Sequence, residues 1–205
     1  MASWAAAYRR IHVARHDHVV TMQLNSIESM LGWLGLAAIG AIEAPINVDY
    51  RGALLAHALN LTQARTMLVL AQYFDRLLAI EDDLHYLEQV IILDGESSAA
   101  SRFRAICGKE FLQDVTPLSS LAIPAPWDIM AILFTSGTTG PSKAVRLPWA
   151  QIHAMATGTY PMADLNDKDV IYNPGPTYHV GAKVFPYMAA LVGGSHVMRP
   201  FISAS

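Results

Sequence analysis

The sequence predicts an α/β fold in which mainly parallel sheets are covered by helices. Along the first 94 residues, short apolar runs of strand length alternate with helical stretches of about ten residues. Strands that are joined by crossover helices lie parallel to one another, with the helices packed on the faces of the sheet. A later run of six apolar residues at 129–134 is typical of a strand buried on both faces.

The individual elements follow from these runs and from the residues that end them. In chain order, the predicted strands cover residues 18–24, 41–46, 66–70, 89–93, 129–134 and 170–173. The predicted helices cover residues 27–39, 54–61 and 71–80, with a further helix around 103–112. The helix at 27–39 has apolar side chains at helical spacing, and Gly40 provides a C-terminal stop.

The chain divides into two sheet-forming regions, residues 1–94 and 129–205, joined by a connector at 95–128. In the connector the apolar pattern loosens, and Pro117, Pro124 and Pro126 prevent long regular elements. The apolar pattern resumes directly after it. We therefore interpret 95–128 as a connector within one structure and not as a linker between independent domains.

Composition excludes several classes of protein. Hydrophobic residues make up 53% of the 205 residues and charged residues 15%, which excludes an intrinsically disordered chain. The 14 Lys and Arg against 17 Asp and Glu leave a net charge of −3, so no basic excess is present for binding nucleic acid. The longest uncharged apolar stretch, 29–42, is shorter than the roughly 20 residues that span a bilayer, so we predict a core helix and no membrane span.

The single cysteine, Cys107, cannot form an internal disulfide bond, which favours a reducing compartment and predicts a cytoplasmic protein. We expect Cys107 to be a small buried hydrophobic residue. No metal site is predicted at His16-Asp17-His18. In an extended segment the two histidines would lie on one face and Asp17 on the other, and the neighbouring sequence offers no third ligand.

The most informative stretch directly follows the buried strand at 129–134. It combines five hydroxyl side chains, two glycines, a proline and a lysine in the nine residues Thr135, Ser136, Gly137, Thr138, Thr139, Gly140, Pro141, Ser142 and Lys143. Glycines let a ligand approach the backbone amides closely, and hydroxyl groups with a lysine suit phosphate oxygens. A loop at the carboxyl end of a buried strand also lies where ligands bind in open α/β sheets. Because the stretch has little apolar surface to bury, we predict that it is mobile and reachable by solvent.

Two common phosphate-binding motifs are excluded. A Walker loop ends in Gly-Lys-Ser/Thr, whereas Lys143 follows Ser142, and the chain has no GxGxxG pattern.

Residues 134–143, FTSGTTGPSK, closely resemble the phosphate-loop signature of the adenylate-forming superfamily. This superfamily includes acyl- and aryl-CoA synthetases, luciferases and the adenylation domains of peptide synthetases. The loop departs from the commonest pattern in two ways: Pro141 stands one place earlier, and Ala144 replaces a glycine. Residues 176–181, PTYHVG, resemble the next core motif, and residues 25–47 resemble the first part of the same N-terminal domain. The resemblance spans residues 17–201 and predicts part of the large N-terminal domain of an adenylate-forming enzyme.

The resemblance implies that the protein activates a carboxylic acid with ATP and Mg²⁺ and transfers the acyl group to CoA. It assigns the β- and γ-phosphates of ATP to Thr135, Ser136, Gly137, Thr138, Thr139, Gly140 and Lys143. His179 becomes the catalytic-site residue and borders the acyl pocket together with Tyr178; the alternative for His179 is a residue that only caps the following helix. The Tyr178-His179 pair favours an acyl- or aryl-CoA ligase over an adenylation domain, and an acceptor on a carrier protein stays open.

The family's later motifs, including the acidic magnesium ligand and a catalytic lysine, find no match in these 205 residues. Lys109, Lys168 and Lys183 occur in no matching motif. We therefore expect a partial N-terminal domain, with the C-terminal domain absent, that is inactive by itself. The alternative is a non-catalytic nucleotide-binding or interaction fragment that retains the loop. The sequence identifies neither the carboxylic acid nor the oligomeric state.

Overall fold

The computed structural model describes residues 1–96, 101–135 and 142–200. Its strands are β1 (His18–Met22), β2 (Ile42–Pro45), β3 (Thr66–Val69), β4 (Gln89–Ile92), β5 (Arg104–Cys107), β6 (Ile129–Thr135), β7 (Lys143–Pro148), β8 (Val170–Asn173) and β9 (Ser195–Met198). Its α-helices are α1 (Ala2–Arg10), α2 (Ile27–Ala37), α3 (Gly52–Thr62), α4 (Ala71–Leu78), α5 (Gly108–Leu112), α6 (Trp149–Thr159) and α7 (Gly181–Val192). Short 3₁₀ helices lie at Glu81–Asp83 and Met162–Asp164.

A seven-stranded sheet forms the centre of the molecule, in the order β5-β4-β3-β1-β2-β6-β7. Its strands pair in parallel except for β7, which runs antiparallel to β6. β8 and β9 form a separate parallel pair and are connected through α7. The predicted α/β class with mainly parallel, helix-covered sheets is confirmed.

Helices cover both faces of the large sheet, as the alternation of strands and helices predicts. On one face, α3 and α4 bury residues such as Leu55 and Phe74 against β1, β3 and β4. On the opposite face, α1 packs through Trp4 and Tyr8 beside α2 and α5. A third apolar cluster lies between β6, α6 and α7 and includes Trp33 of α2. Strands that are covered on both faces need apolar side chains at successive positions, which explains their continuous apolar runs.

The predicted helix around 103–112 is wrong in its first half. Residues Arg104–Cys107 form β5, which pairs with β4 from Gln89↔Arg104 to Ile92↔Cys107, and only Gly108–Leu112 is helical. Pairing with the open edge of β4 satisfies the backbone groups of β5, and Ile106 packs beneath the sheet. Cys107, at the end of this strand, is half-buried and not fully buried as expected. The remaining predicted strands and helices are present, with ends that differ by at most two residues.

Among the described residues, none of the helices is long and apolar enough to cross a membrane. The apolar stretch that begins at Ser29 instead forms most of α2, whose Trp33 and Leu36 are buried in the protein core.

Gly108 allows β4 and α5 to approach each other closely. A Cβ atom at this position would lie 2.4 Å from the carbonyl oxygen of Leu93 and 2.8 Å from its Cα atom. We expect Gly108→Ala to lower the free energy of unfolding by about 1–3 kcal/mol, because backbone must shift to accept the methyl group. Urea denaturation measures this loss. The matched control is Gly158→Ala in α6, where an added Cβ meets no atom within 4 Å; it should change stability by less than about 1 kcal/mol. Similar losses in both variants would contradict the packing argument.

Candidate functional site

Loops from several strands meet at the carboxyl edge of the large sheet. Residues 23–25 follow β1, residues 46–49 follow β2, α4 starts directly after β3, and β6 leads into residues 136–142. β1 pairs with β2 on one side and with β3 on the other, so the chain leaves β1 toward one side of the sheet and continues from β3 toward the other. At such a point, where the strand order reverses, a crevice opens outside the carboxyl ends of the strands, and ligands bind there in open α/β sheets.

The turn that follows β8 reaches the same edge. The Nδ2 group of Asn25 donates hydrogen bonds to the carbonyl oxygens of Gly175 (2.9 Å) and Arg199 (3.0 Å). The hydroxyl group of Thr177 donates to the carbonyl oxygen of Gln23 at 3.1 Å. The loop after β1 therefore holds the turn that carries Tyr178 and His179.

A cavity of about 300 Å³ opens between these loops. Its walls are Gln23, Leu24, Asn25, Val48, Asp49, Tyr73, Pro174, Pro176, Tyr178 and Pro200. Gln23 and Asn25 are only 2% and 4% exposed, yet Gln23 Nε2 and Asn25 Oδ1 find no hydrogen-bond partner among the described residues. A donor and an acceptor that are buried without partners favour a small polar ligand in their vicinity.

Tyr178 lines this cavity, whereas His179 does not. Burial raises the pKa of the Tyr178 phenol above its ordinary value, and the negative charge of Asp49 raises it further. The phenol therefore stays neutral at physiological pH and can donate a hydrogen bond to a ligand.

His179 is exposed, and its ring centre lies 5.1 Å from that of Tyr178. The N-cap position of α7 is Val180, and no side chain makes a capping hydrogen bond there. The structure thus offers no support for the capping alternative, and the substrate-facing role of His179 stays a prediction.

The two ends of the predicted phosphate loop stand side by side at the same edge. Thr135 ends β6 and Lys143 begins β7, and the two residues pair in the antiparallel ladder. Both side chains are exposed. The remaining predicted phosphate-binding residues, and the prediction that this loop is mobile, lie outside the described residues: Ser136, Gly137, Thr138, Thr139 and Gly140.

Two residues contact the end of this loop that sequence reasoning did not assign to the site. The hydroxyl group of Tyr50 lies 3.0 Å from that of Ser142, and a ring nitrogen of His57 lies 3.2 Å from the Ser142 carbonyl oxygen. His57 is exposed. Each contact joins residues at least 85 positions apart, so no local pattern in the sequence indicates them.

A buried ion pair lies behind the Tyr178-His179 turn. The ammonium group of Lys183, on α7, contacts the carboxylate of Glu43, on β2, and the two side chains are 4% and 1% exposed. Thr21 donates a hydrogen bond to the other carboxylate oxygen at 2.9 Å. The Lys183 ammonium also lies 4.3 Å from the ring centre of Trp33, in cation–π geometry. Sequence reasoning missed this pair, although each residue is a lone charge inside an otherwise apolar element.

The negative charge of Glu43 also affects the pKa of a buried tyrosine. Tyr8 of α1 is fully buried, and this burial raises the pKa of its phenol well above the ordinary value; the charge of Glu43 adds to the effect.

Residues 2–204 match the family of AMP-binding enzymes. Crotonobetaine/carnitine–CoA ligase from Salmonella paratyphi B is 26% identical over 192 residues, which cover 93% of this chain and 37% of the relative. The chain thus spans little more than a third of the length of such curated relatives.

Solved structures of high similarity include two CoA ligases. The long-chain-fatty-acid–CoA ligase FadD1 from Archaeoglobus fulgidus superimposes with a TM-score of 0.82 at 23% identity, over 98% of this chain and 38% of its own. The anthranilate–CoA ligase AuaEII, solved with anthranoyl-AMP, superimposes with a TM-score of 0.82 at 20% identity. The match covers 97% of this chain and 38% of the ligase chain. At these identities the similarity establishes the fold alone.

Proposed function

The chain belongs to the AMP-binding enzyme family, and from this membership we propose that the protein activates a carboxylic acid with ATP. A carboxylate oxygen attacks the α-phosphorus of ATP, forming an acyl-adenylate and releasing pyrophosphate. The thiol of CoA then attacks the acyl carbon, forming the thioester and releasing AMP. The observation that supports the proposal is that Thr135 and Lys143 lie at the carboxyl end of β6, at the edge of the sheet where the loop after β1 holds the turn that carries Tyr178.

The phosphate tail of ATP is proposed to bind at the β6–β7 hairpin. The residues in this role are Thr135, Ser136, Gly137, Thr138, Thr139, Gly140 and Lys143. Hydroxyl and amide donors, with one lysine charge, stabilise the negative charge on the β- and γ-phosphates and on the departing pyrophosphate.

Magnesium is proposed to enter as the MgATP complex and to neutralise part of the phosphate charge. Among the residues that the structure describes, no group of three or more His, Cys, Asp or Glu side chains could hold a metal ion. We therefore assign no metal-ligand role to the carboxylates of this chain.

The carboxylic acid is proposed to bind beside Tyr178 and His179. Tyr178 contributes a neutral phenol to the cavity wall, and the exposed His179 lies next to it. CoA is the proposed acceptor because the curated relatives include several CoA ligases, and a carrier-protein thiol is the alternative that an acceptor assay separates. A cytoplasmic location stays a prediction from the single cysteine.

We expect these 205 residues to bind ATP without forming the adenylate at a useful rate. The acid must be held within about 3–3.5 Å of the α-phosphorus, and the family resemblance assigns that alignment to a lysine of a C-terminal domain. Lys183 cannot replace it because its ammonium group is buried against Glu43, and Lys109 and Lys168 are exposed elsewhere on the molecule.

Titration calorimetry with ATP and isotope exchange between pyrophosphate and ATP, with a panel of acids, test this expectation. ATP binding without acid-dependent exchange agrees with it and with a nucleotide-binding role for the chain itself. Strong acid-dependent exchange would show that the chain aligns its own substrates. A chain that is folded but binds no ATP would contradict the proposed phosphate site.

A further inference from the structure

We propose that Lys183 is a positioning residue for the Tyr178-His179 turn and acts through its buried ion pair with Glu43. The inference rests on the proposed function, which places the carboxylic acid beside that turn. Lys183 itself touches no part of the cavity at Tyr178; its effect passes through the backbone of α7.

Lys183 stands one helical turn after His179, where α7 begins. Its backbone N–H group donates to the carbonyl oxygen of Val180 at 2.9 Å, and the N–H group of Ala182 donates to that of His179 at 3.0 Å. These bonds couple the direction of the first helical turn to that of the preceding residues. A contact that fixes the Lys183 side chain therefore also restrains His179.

Glu43, the partner of Lys183, lies on a strand that is held on both sides by neighbouring strands. Glu43 lies in the middle of β2, with Val19 of β1 as its register partner on one side and Ala131 of β6 on the other. Its carboxylate is held further by Thr21. The ion pair thus connects the start of α7 to the centre of the seven-stranded sheet.

Hydrogen bonds hold the other end of the turn. Asn25 donates to Gly175 and Thr177 donates to Gln23, so the segment is fixed before Tyr178 by the loop after β1. Lys183 fixes it after His179. The two residues assigned to the acid pocket lie between these two attachments.

Stability alone is a poor explanation for such a pair. Removing two charges from water costs several kcal/mol per ion, and apolar residues of similar volume often serve a core equally well. A charge pair differs from an apolar contact because it is satisfied in only one arrangement: a displaced Lys183 would leave Glu43 buried without a cation. The pair therefore selects one placement of α7 on the sheet, and with it one placement of the turn.

Hydrogen exchange and histidine NMR on the 205-residue chain test this role without ATP or acid. The variants are Lys183→Met and the double variant Glu43→Gln/Lys183→Met, which removes both charges and keeps similar volumes. Lys168→Met, at an exposed lysine before β8, is the matched control. We expect both charge-removing variants to increase exchange of the amides at 177–184 by tenfold or more beyond the increase that the measured loss of global stability produces, and to shift the His179 ring signals. Amides of β3 should follow the global stability alone, and the ring signals of His57 should stay unchanged.

The double variant is decisive, because it avoids an unpaired buried charge and folds even if Lys183→Met does not. Unchanged exchange at 177–184 and unchanged His179 signals in the double variant would overturn the proposal. So would an equal increase at 177–184 and in β3, which indicates general loss of stability. Failure of the proposed function appears in a different measurement, as absence of ATP binding by the unmodified chain.

Discussion

Lys143→Ala is expected to weaken ATP binding by roughly 10- to 150-fold, because a hydrogen bond to a charged group contributes about 1.5–3 kcal/mol. Lys143 begins β7 opposite Thr135, its side chain is exposed, and it forms no salt bridge within the described parts of the chain. Its charge is therefore available to a ligand, and its removal should leave folding nearly unaffected. Calorimetric titration with MgATP measures the affinity, and urea denaturation measures the stability.

Two further variants make the Lys143 result specific. Lys143→Arg keeps the positive charge and should retain most of the affinity, whereas Lys168→Ala removes a distant exposed charge and should change nothing. Unchanged ATP affinity in a well-folded Lys143→Ala protein would remove Lys143 from the phosphate site. Equal losses in Lys143→Ala and Lys168→Ala would indicate a general effect of net charge.

Five of the seven strands of the large sheet, all except β5 and β7, were predictable because their chemistry is local. A strand that is covered on both faces needs an unbroken apolar run, and β3 and β4 have such runs bounded by polar residues. α2 was predictable for a similar reason, since its apolar side chains repeat at helical spacing. The ends of these elements differ slightly from prediction because terminal residues respond to caps and neighbours that the pattern does not include.

Two of the differences from the predicted elements have different causes. Residues Arg104–Cys107 become a strand because β4 offers a free edge, which the local pattern does not reveal. Sequence reasoning also did not place β7, although the loop before it was recognised, because its exposed residues lack the apolar run of a buried strand.

The candidate site shows the same division between local and distant information. Short motifs indicated Tyr178 and Lys143; Lys143 pairs with Thr135 at the end of β6, and Tyr178 lines the cavity beside the loop after β1. The contacts that support them, from Tyr50 to Ser142 and from Glu43 to Lys183, join residues 92 and 140 positions apart. A charged residue within an apolar element was the available signal for the ion pair, and its partner could not be identified without the fold.

Lys183→Met is expected to lower the free energy of unfolding by about 3–5 kcal/mol, because it leaves the buried carboxylate of Glu43 without its cation. A loss of this size is a large share of the stability of an ordinary domain, which is about 5–15 kcal/mol. The double variant Glu43→Gln/Lys183→Met should lose much less, about 1–2 kcal/mol, because no buried charge remains and the introduced apolar side chain can still pack against Trp33. Urea denaturation of both variants and of Lys168→Met, which should match the unmodified protein, measures these differences. Equal losses in the single and double variants would show that the loss does not come from an unpaired Glu43 carboxylate and would contradict the argument from the pair.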